Sequence, residues 1–301
     1  MTEPVRSVVY VNGKYRPSEE ATISVFDHGL LYGDGVFDTM FASYGYIFKI
    51  DQHLARFARS LRAIRLEIPT PIADLRRAVI DTVARNGLNN AYIKVVATRG
   101  ISAEPLLDPR GCTPTVIIFA RPYLSLADPA KVSTGLHAKV TSIRRVGMQA
   151  LDPRIKSLNY LNLVLARMEA YAAGCDEALL LDDHGYVCEA PGYNVFLVRE
   201  GHVVTPAYSI LEGITRETVL ELSAELDIPS EIRAVSPYEL AVADEVFLTS
   251  TAGGLVPITR VDGQAVGSGK PGPIFSQLTR AYDALQESGR FGTQITRAAI
   301  G

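Results

Sequence analysis

A lysine and a later glutamate form the most informative chemical pattern in this sequence of 301 residues. Lys156 lies in the segment Asp152–Tyr160, just before an apolar helical stretch, and Glu189 follows 33 residues later on a predicted strand. A lysine amine forms a Schiff base with an aldehyde, and a carboxylate can hold a pyridine nitrogen in its protonated state. The pair therefore indicates pyridoxal phosphate (PLP) as the cofactor. Among the other lysines Lys94 is the main competitor, but neither a helix nor a tyrosine follows it.

A short segment, Gly213–Thr215, is suited to bind phosphate because it precedes a predicted helix. It places backbone N–H groups and a hydroxyl at the helix N-terminus, where the helix dipole favours an anion. The run Gly267–Pro271 is a weaker phosphate loop, because proline follows Lys270 where serine or threonine is needed. We therefore assign no nucleotide binding to it.

The composition predicts a soluble globular protein, with 47% hydrophobic residues, 21% charged residues and a net charge of −3. No charged block or long apolar run indicates a nucleic acid or a membrane as a partner, and the N-terminus lacks a signal pattern. The three scattered cysteines, Cys112, Cys175 and Cys188, indicate reduced thiols in a cytoplasmic protein. His28 and His53 lack the spacing of metal ligands, so no metal site is expected.

Periodicity predicts two α/β domains, a smaller one at 1–120 and a larger one at 135–301, with a linker at 121–134. The proposed strands cover 8–11, 36–41, 46–50, 91–98, 115–120, 137–142, 177–182, 186–190, 194–198 and 244–249. The proposed helices cover 71–85, 159–173, 215–226 and 273–287, with another that Asp51 caps. Asn12 and Gly13 predict a hairpin turn.

In their order along the chain, these motifs resemble those of the class IV aminotransferases, the fold type IV PLP enzymes. This group includes branched-chain aminotransferases, D-amino acid transaminases, (R)-selective amine transaminases and aminodeoxychorismate lyases. The resemblance rests on His28–Phe37, His53–Arg56, Lys156–Tyr160, Glu189–Phe196, Gly213–Arg216, Thr249–Gly254 and Gly269–Pro273. It implies an α/β (α+β) fold of two domains, PLP in the interdomain cleft, and a homodimer.

The resemblance also implies roles for individual residues. Lys156 is the Schiff-base lysine and moves the proton between substrate and cofactor, and Glu189 pairs with the pyridinium nitrogen. Tyr160 resembles the phenol that binds the ring hydroxyl, and Arg56 the guanidinium on the phosphate. The remaining cofactor-binding residues implied are Gly192, Asn194, Ile214, Thr215 and Thr251, and the substrate-pocket residues are Tyr32, Phe37, Lys94 and Ala252.

Markers of the substrate point in different directions. Tyr32–Phe37 and Lys156–Asn162 resemble the branched-chain enzymes, but those enzymes usually carry Tyr-x-Arg where this chain has Tyr92–Lys94. The Arg-x-His pair of D-amino acid transaminases is missing from Arg99–Pro105. Several segments resemble the (R)-amine transaminases instead: Phe37–Thr39, Gly192–Asn194 and Thr251–Ile258.

The predicted activity is a PLP-dependent, ping-pong transfer of an amino group from a branched-chain amino acid or an (R)-primary amine to a keto acid. The alternatives are a D-amino acid transaminase, an aminodeoxychorismate-type lyase and a non-catalytic PLP-binding protein. A transaminase must bind the carboxylate of a keto acid, so the sequence needs a cation in that role. The candidates are Lys94, Arg99, Arg144 and Arg145.

Overall fold

The computed structural model describes residues 7–104, 106–123 and 129–296. These residues form two compact units. The first unit contains residues 7–123, Ile155–Asn159 and 286–296, and the second contains the described residues between these segments. In the described part of the chain no helix is both long enough and apolar enough to span a membrane.

The described residues form sixteen strands and eight helices. The strands are β1 (Val8–Val11), β2 (Lys14–Pro17), β3 (Gly35–Ser43), β4 (Tyr46–Phe48), β5 (Ala91–Ile101), β6 (Thr113–Pro122), β7 (Leu136–Val140), β8 (Glu177–Leu179), β9 (Glu189–Ala190), β10 (Tyr193–Arg199), β11 (His202–Pro206), β12 (Ser230–Arg233), β13 (Glu245–Ser250), β14 (Gly254–Val261), β15 (Gln264–Ala265) and β16 (Gly292–Gln294). The helices are α1 (His28–Tyr32), α2 (Ile50–Ala63), α3 (Ile72–Arg85), α4 (Pro129–Thr134), α5 (Leu161–Ala172), α6 (Ile214–Glu225), α7 (Pro237–Ala241) and α8 (Pro273–Glu287).

The first unit is built on an antiparallel sheet of seven strands in the order β16-β4-β3-β5-β6-β1-β2. The turn between β1 and β2 uses Asn12 and Gly13, both at positive φ, as the sequence predicts. Helices α2 and α3 cover one face of this sheet and share a single apolar core with it. The apolar residues of this core line the face of the sheet that the helices cover.

Alternation along β3 and β5 sends neighbouring residues to opposite faces of this sheet. Val36 and Met40 of β3 are buried in the core under the helices, and Asp38 lies on the same side. Phe37 projects to the other face, where the ammonium group of Lys94 on β5 contacts its ring. The two faces therefore carry different chemistry on one strand.

The second unit is built on a mixed sheet of nine strands, whose main path runs β12-β11-β10-β13-β14-β7-β8. Strand β9 pairs with β10, and β15 pairs with β14. Val195 and Val246 lie in the apolar core on one face. The rings of Phe196 and Phe247 stack 5.1 Å apart, and Phe275 of α8 packs on Phe247 with the two ring centroids 5.7 Å apart.

Several boundaries differ from those that periodicity predicts. Helix α2 begins at Ile50, so Asp51 lies in its first turn and is not its cap, and Lys49 precedes the helix with φ of 44°. The segment predicted as a linker contains the end of β6 and all of α4, while residues 124–128 lie outside the described residues. Two pieces of the predicted larger domain, Ile155–Asn159 and 286–296, pack with the first unit.

Candidate active site

In the first unit, Lys156 is held by its main chain against strand β3. The Phe37 N–H donates to the Lys156 carbonyl at 2.9 Å, and the Lys156 N–H donates to Ser60 Oγ of α2 at 3.2 Å. The Leu158 N–H donates to the Gly35 carbonyl at 3.0 Å. A Cβ on Gly35 would lie 2.6 Å from a backbone oxygen of β5, so this close approach requires glycine.

Two ammonium groups share the aromatic ring of Phe37. Lys156 Nζ lies 4.9 Å from the ring centroid, and Lys94 Nζ lies 4.6 Å from the same centroid. Both distances are within the range of a cation–π interaction. The structure thus places the predicted reactive amine and the predicted carboxylate-binding lysine around one apolar side chain.

Another first-unit candidate for the carboxylate, Arg99, is fully engaged in holding the fold together. Its Nε and Nη2 donate to the carboxylate of Asp34 at 2.5 and 3.0 Å. Its Nη2 and Nη1 also donate to the carbonyls of Ile64 and Arg65, just beyond the end of α2. This arginine ties the segment after α1 to the end of α2. The structure thus gives Arg99 an internal acidic partner, and its role at a substrate carboxylate stays a prediction.

Helix α1 carries Tyr32, whose ring makes an edge contact with the ring of His28, with centroids 5.0 Å apart. The carboxylate of Asp27 caps this helix by accepting from the Gly29 N–H at 2.7 Å. The same carboxylate accepts hydrogen bonds from the hydroxyls of Thr98 and Thr115. The short helix is thereby fixed to strands β5 and β6.

Arg56, predicted to bind phosphate, is buried in α2 and paired with Asp38 of β3. Its Nε and Nη2 each donate to one oxygen of that carboxylate at 2.8 Å, and His53 Nδ1 lies 2.8 Å from the same group. The side chains of Arg56 and Asp38 are 4% and 0% exposed. The pair with Asp38 fixes the orientation of the Arg56 guanidinium, and its contact with a phosphate stays a prediction.

Burial and charge act in opposite directions on Asp38 and His53. Burial by itself raises the pKa of the Asp38 carboxyl, but Arg56, followed by His53, outweighs it and holds that pKa well below its usual range. Burial lowers the pKa of His53, and Asp38 offsets only part of that effect. The fold therefore contains an ionised carboxylate, a guanidinium and a neutral imidazole in van der Waals proximity.

In the second unit, Glu189 lies on the short strand β9 and is held by two donors. Arg145 Nε donates to Oε1 at 2.7 Å, and the Leu211 N–H donates to Oε2 at 2.8 Å. The side chains of Arg145 and Glu189 are 10% and 6% exposed. Arg145 therefore also has an internal acidic partner, and its role at a substrate carboxylate stays a prediction.

The start of α6 is buried and has no side-chain cap. Ile214 and Thr215, predicted to bind phosphate, form its first turn and are 4% and 3% exposed. Asn194 on β10 donates to the Leu211 carbonyl at 2.8 Å. A Cβ on Gly213 would lie 2.0 Å from Asn194 Oδ1, so the chain must be glycine there. First-turn N–H groups without an intrahelical partner are suited to an anion.

Hydroxyl groups collect where β13 ends. Among the described residues, Thr249 Oγ1 and Ser250 Oγ are buried without a hydrogen-bond partner. They immediately precede Thr251, which is half-buried, and Ala252, which is buried. Buried polar atoms are normally satisfied, and because strand neighbours point to opposite faces, at most one of these two hydroxyls borders a given ligand site.

The last two predicted cofactor-binding residues also lie in the second unit. Gly192 occupies the turn between β9 and β10 with φ of 86°. Tyr160 precedes α5 and packs against the small apolar cluster on the inner face of that helix. Their contacts to a cofactor remain predictions.

The profile of the family described as Amino-transferase class IV matches residues 35–261 of this chain. The chain belongs to the class IV aminotransferases. A relative named putative branched-chain-amino-acid aminotransferase, from Methanocaldococcus jannaschii, is 40% identical over 281 residues. That alignment covers 92% of this chain and 96% of the relative.

Solved structures resemble this class IV aminotransferase over nearly its whole length. The branched-chain aminotransferase of Thermoproteus uzoniensis with norvaline is 34% identical, with a TM-score of 0.89, over 97% of this chain and 100% of that chain. The branched-chain amino acid aminotransferase of Escherichia coli is 30% identical, with a TM-score of 0.93, over 97% and 100%. A further branched-chain amino acid aminotransferase, solved with pyridoxamine 5'-phosphate, is 32% identical, with a TM-score of 0.90, over 97% and 99%. The predicted family, mixed α/β fold and enzyme class are confirmed.

Sequence reasoning missed several features of this class IV aminotransferase. It gave Asp38 the role of a substrate marker, whereas the structure pairs this residue with Arg56 on the helix-covered face. It missed the ion pair of Arg145 with Glu189, which are 44 residues apart. It also missed the hydroxyls of Thr249 and Ser250. The run of hydroxyl residues from Thr249 to Thr251 was the visible signal for these.

Proposed function

We propose that this enzyme transfers the amino group of a branched-chain amino acid to a keto acid, with PLP as cofactor, by a ping-pong mechanism. The observation that carries the proposal is the placement of Lys156 and Lys94 on the ring of Phe37. An amine that reacts and a cation that binds a carboxylate must lie a few ångströms apart to act on one amino acid. The names of the relatives and the norvaline in a similar structure support the donor class.

The residues of each unit fit PLP. The first unit offers Lys156 for the aldehyde and Arg56 for the phosphate. The second unit offers Glu189 for the ring nitrogen, the uncapped N-terminus of α6 for the phosphate, and a buried hydroxyl at the end of β13. Bound PLP supplies an electron sink for the negative charge that develops at the substrate Cα. A similar structure contains pyridoxamine 5'-phosphate.

The side chains of this chain then divide the work. With PLP bound, Lys156 Nζ, which lies 4.9 Å from the Phe37 ring centroid, would take the proton from the donor Cα in one half-reaction and would deliver a proton to the Cα derived from the keto acid in the other. Glu189 holds the ring nitrogen in its protonated form. Phe37 offers an apolar wall, which suits the hydrocarbon side chain of a branched-chain donor.

Lys94 is the cation that we assign to the substrate carboxylate. Two of its rivals, Arg99 and Arg145, are committed to Asp34 and Glu189. The third, Arg144, is exposed and donates to the carbonyl of Thr141. A lysine offers a point charge and no bidentate fork, so its hold on a carboxylate depends less on orientation than an arginine's would.

We also propose that the enzyme is a cytoplasmic homodimer. All exposed residues of α5 are apolar, namely Leu161, Val164, Leu165, Met168, Tyr171 and Ala172. An exposed helix face made of apolar residues is typical of a face that a partner subunit covers. The three cysteines form no disulfide, as is common for proteins of a reducing compartment.

The donor class is tested by the visible absorbance of the holoenzyme without keto acid. We expect L-leucine to remove the absorbance band of the bound cofactor rapidly. D-alanine has the opposite configuration and no branched side chain, and (R)-1-phenylethylamine has no carboxylate. Both should therefore remove the band at least about tenfold more slowly than L-leucine. Bleaching by (R)-1-phenylethylamine alone would overturn the assignment of a branched-chain donor. If none of the three donors bleached the band, the assignment of transaminase activity would be overturned.

Replacing Lys94 tests the carboxylate assignment. We expect Lys94→Met to raise KM for the keto acid by about 10- to 100-fold, because a hydrogen bond to a charged group is lost. Lys94→Arg should retain most of the affinity. Lys14→Met, at an exposed position on β2 of the same unit, serves as the control and should leave KM unchanged. An unaltered KM in Lys94→Met would exclude this lysine as the carboxylate-binding residue.

A further inference from the structure

Arg145 is a buried arginine whose guanidinium contacts the carboxylate of Glu189. Arg145 follows β7, and its own N–H donates to the Leu181 carbonyl at 2.9 Å, which fixes its main chain to the second unit. Its Nε reaches Glu189 Oε1 at 2.7 Å, and both side chains are almost fully shielded from water. A buried ion pair is poor evidence for stability, because desolvation of the two charges offsets their attraction. Its position on the ring-binding carboxylate therefore calls for a functional reason.

The geometry of Glu189 leaves room for a further donor. Each of its oxygens accepts one hydrogen bond, from Arg145 and from the Leu211 N–H, and a carboxylate oxygen accepts two. The two donors come from segments on either side of β9, so they fix the plane of the carboxylate. Cys188, the preceding residue, stays a neutral thiol, because burial, and then the charges of Asp182 and Glu189, raise its pKa.

We propose that Arg145 is a positioning residue that keeps the negative charge on Glu189 and thereby the proton on the ring nitrogen of PLP. This inference rests on the proposed PLP chemistry. In a buried pair of carboxylate and pyridine, moving the proton onto the carboxylate cancels both charges and escapes the cost of burying them. A cation in direct contact with the carboxylate opposes that transfer. It stabilises the carboxylate at short range more than it destabilises a ring cation farther away.

The proposal predicts that the ring loses its proton when Arg145 loses its charge. Holoenzymes would be prepared with PLP labelled with ¹⁵N at the ring nitrogen, and the ¹⁵N resonance compared at neutral pH. We expect the wild type and Arg145→Lys to show a protonated pyridine nitrogen and Arg145→Met to show largely the unprotonated form. For Arg145→Met, kcat should fall by roughly 10- to 100-fold, as for other residues that orient a catalytic group, while KM changes little.

A second arginine–glutamate pair in the same unit provides the matched control. Arg167 on α5 donates to both oxygens of Glu177 at 3.1 and 2.6 Å. Both Arg145→Met and Arg167→Met should lower the melting temperature of the apoenzyme, but Arg167→Met should leave the ¹⁵N resonance at its wild-type position. If Arg145→Met lowers the melting temperature and keeps the wild-type resonance, Arg145 is only structural and the proposal is overturned.

Three further outcomes keep the test decisive. If Arg145→Met does not fold, Arg145→Gln, which is shorter and keeps a hydrogen-bond donor without charge, replaces it with the same expected loss of the ring proton. If the wild type itself binds no PLP or fails to transaminate, the proposed function fails. If the wild type is active with a protonated ring and the variant keeps the same resonance, only the role of Arg145 fails.

Discussion

Lys156→Ala is expected to lower kcat by about 10⁴-fold or more, because one substitution removes both the covalent attachment and the proton transfer. The fold should survive. Main-chain hydrogen bonds of Lys156 and Leu158 fix this segment to β3 and α2, and they do not depend on the Lys156 side chain. The contact of its ammonium group with Phe37 contributes only about 0.5–1 kcal/mol. This variant should therefore lose its activity and keep a melting temperature near that of the wild type.

Steady-state kinetics and thermal unfolding of Lys156→Ala would be measured beside Lys14→Ala, an exposed lysine of the same unit. Reduction of each holoenzyme with borohydride, followed by peptide mapping, identifies the lysine that carries the cofactor. We expect the label on the peptide with Lys156 in the wild type and in Lys14→Ala. A label on Lys94, or activity within tenfold of wild type in Lys156→Ala, would contradict the assignment.

Asp38→Asn is expected to destabilise the enzyme by about 3–5 kcal/mol, because it leaves the buried guanidinium of Arg56 without its counter-charge. The side chains are nearly equal in size, so no cavity complicates the comparison. Asp51→Asn on α2 is the matched control. Asp51 also pairs with an arginine, Arg76, at 2.8 Å, but these side chains are 67% and 38% exposed. Such a surface pair contributes about 0–1 kcal/mol. Chemical denaturation of both variants measures the difference, and equal losses would refute the buried pair's importance.

The same cluster predicts a direction for the pH dependence of stability. The pKa of Asp38 lies far below its usual value in the folded protein, so its contribution is complete above about pH 4 and is lost as the pH falls below that value. The pKa of His53 is also lowered, so the unfolded chain takes up a proton below about pH 6.5 that the folded protein does not. Both groups make the free energy of unfolding decrease on acidification. The gap between wild type and Asp38→Asn should narrow below about pH 4, as denaturation at a series of pH values would show.

Local patterns predicted many of the longer elements and the order of the motifs, because both depend on short stretches of sequence, but short elements such as α1 and α7 and the whole of β14 were missed. Helix α8 begins and ends at the predicted residues, and the hairpin at Asn12–Gly13 has the predicted turn. The pairing of Ile155–Asn159 with β3 was not predictable in the same way. It joins segments more than a hundred residues apart, and no periodicity records which distant strand a segment will approach.

Charged residues were the hardest to interpret from sequence. Arg99 and Arg145 had the right type for binding a substrate carboxylate, but each has an internal acidic partner that becomes close only in the folded chain. The segment Phe37–Thr39 was hard to interpret for a different reason. A strand alternates its side chains between two faces, so Phe37 and Asp38 are adjacent in sequence and belong to different environments.

Because of that alternation, substitutions on β3 affect either the range of donors or the folding of the chain. Changes at Phe37 and Thr39 face β5 residues such as Lys94 and can alter which donors are accepted. Changes at Val36, Asp38 and Met40 act on the helix-covered core and so on whether the chain folds at all. Laboratory evolution of donor range should therefore accumulate substitutions at the odd-numbered positions of this strand. An insertion of one residue would move each set of side chains to the opposite face of the sheet, so that both donor binding and folding would be lost.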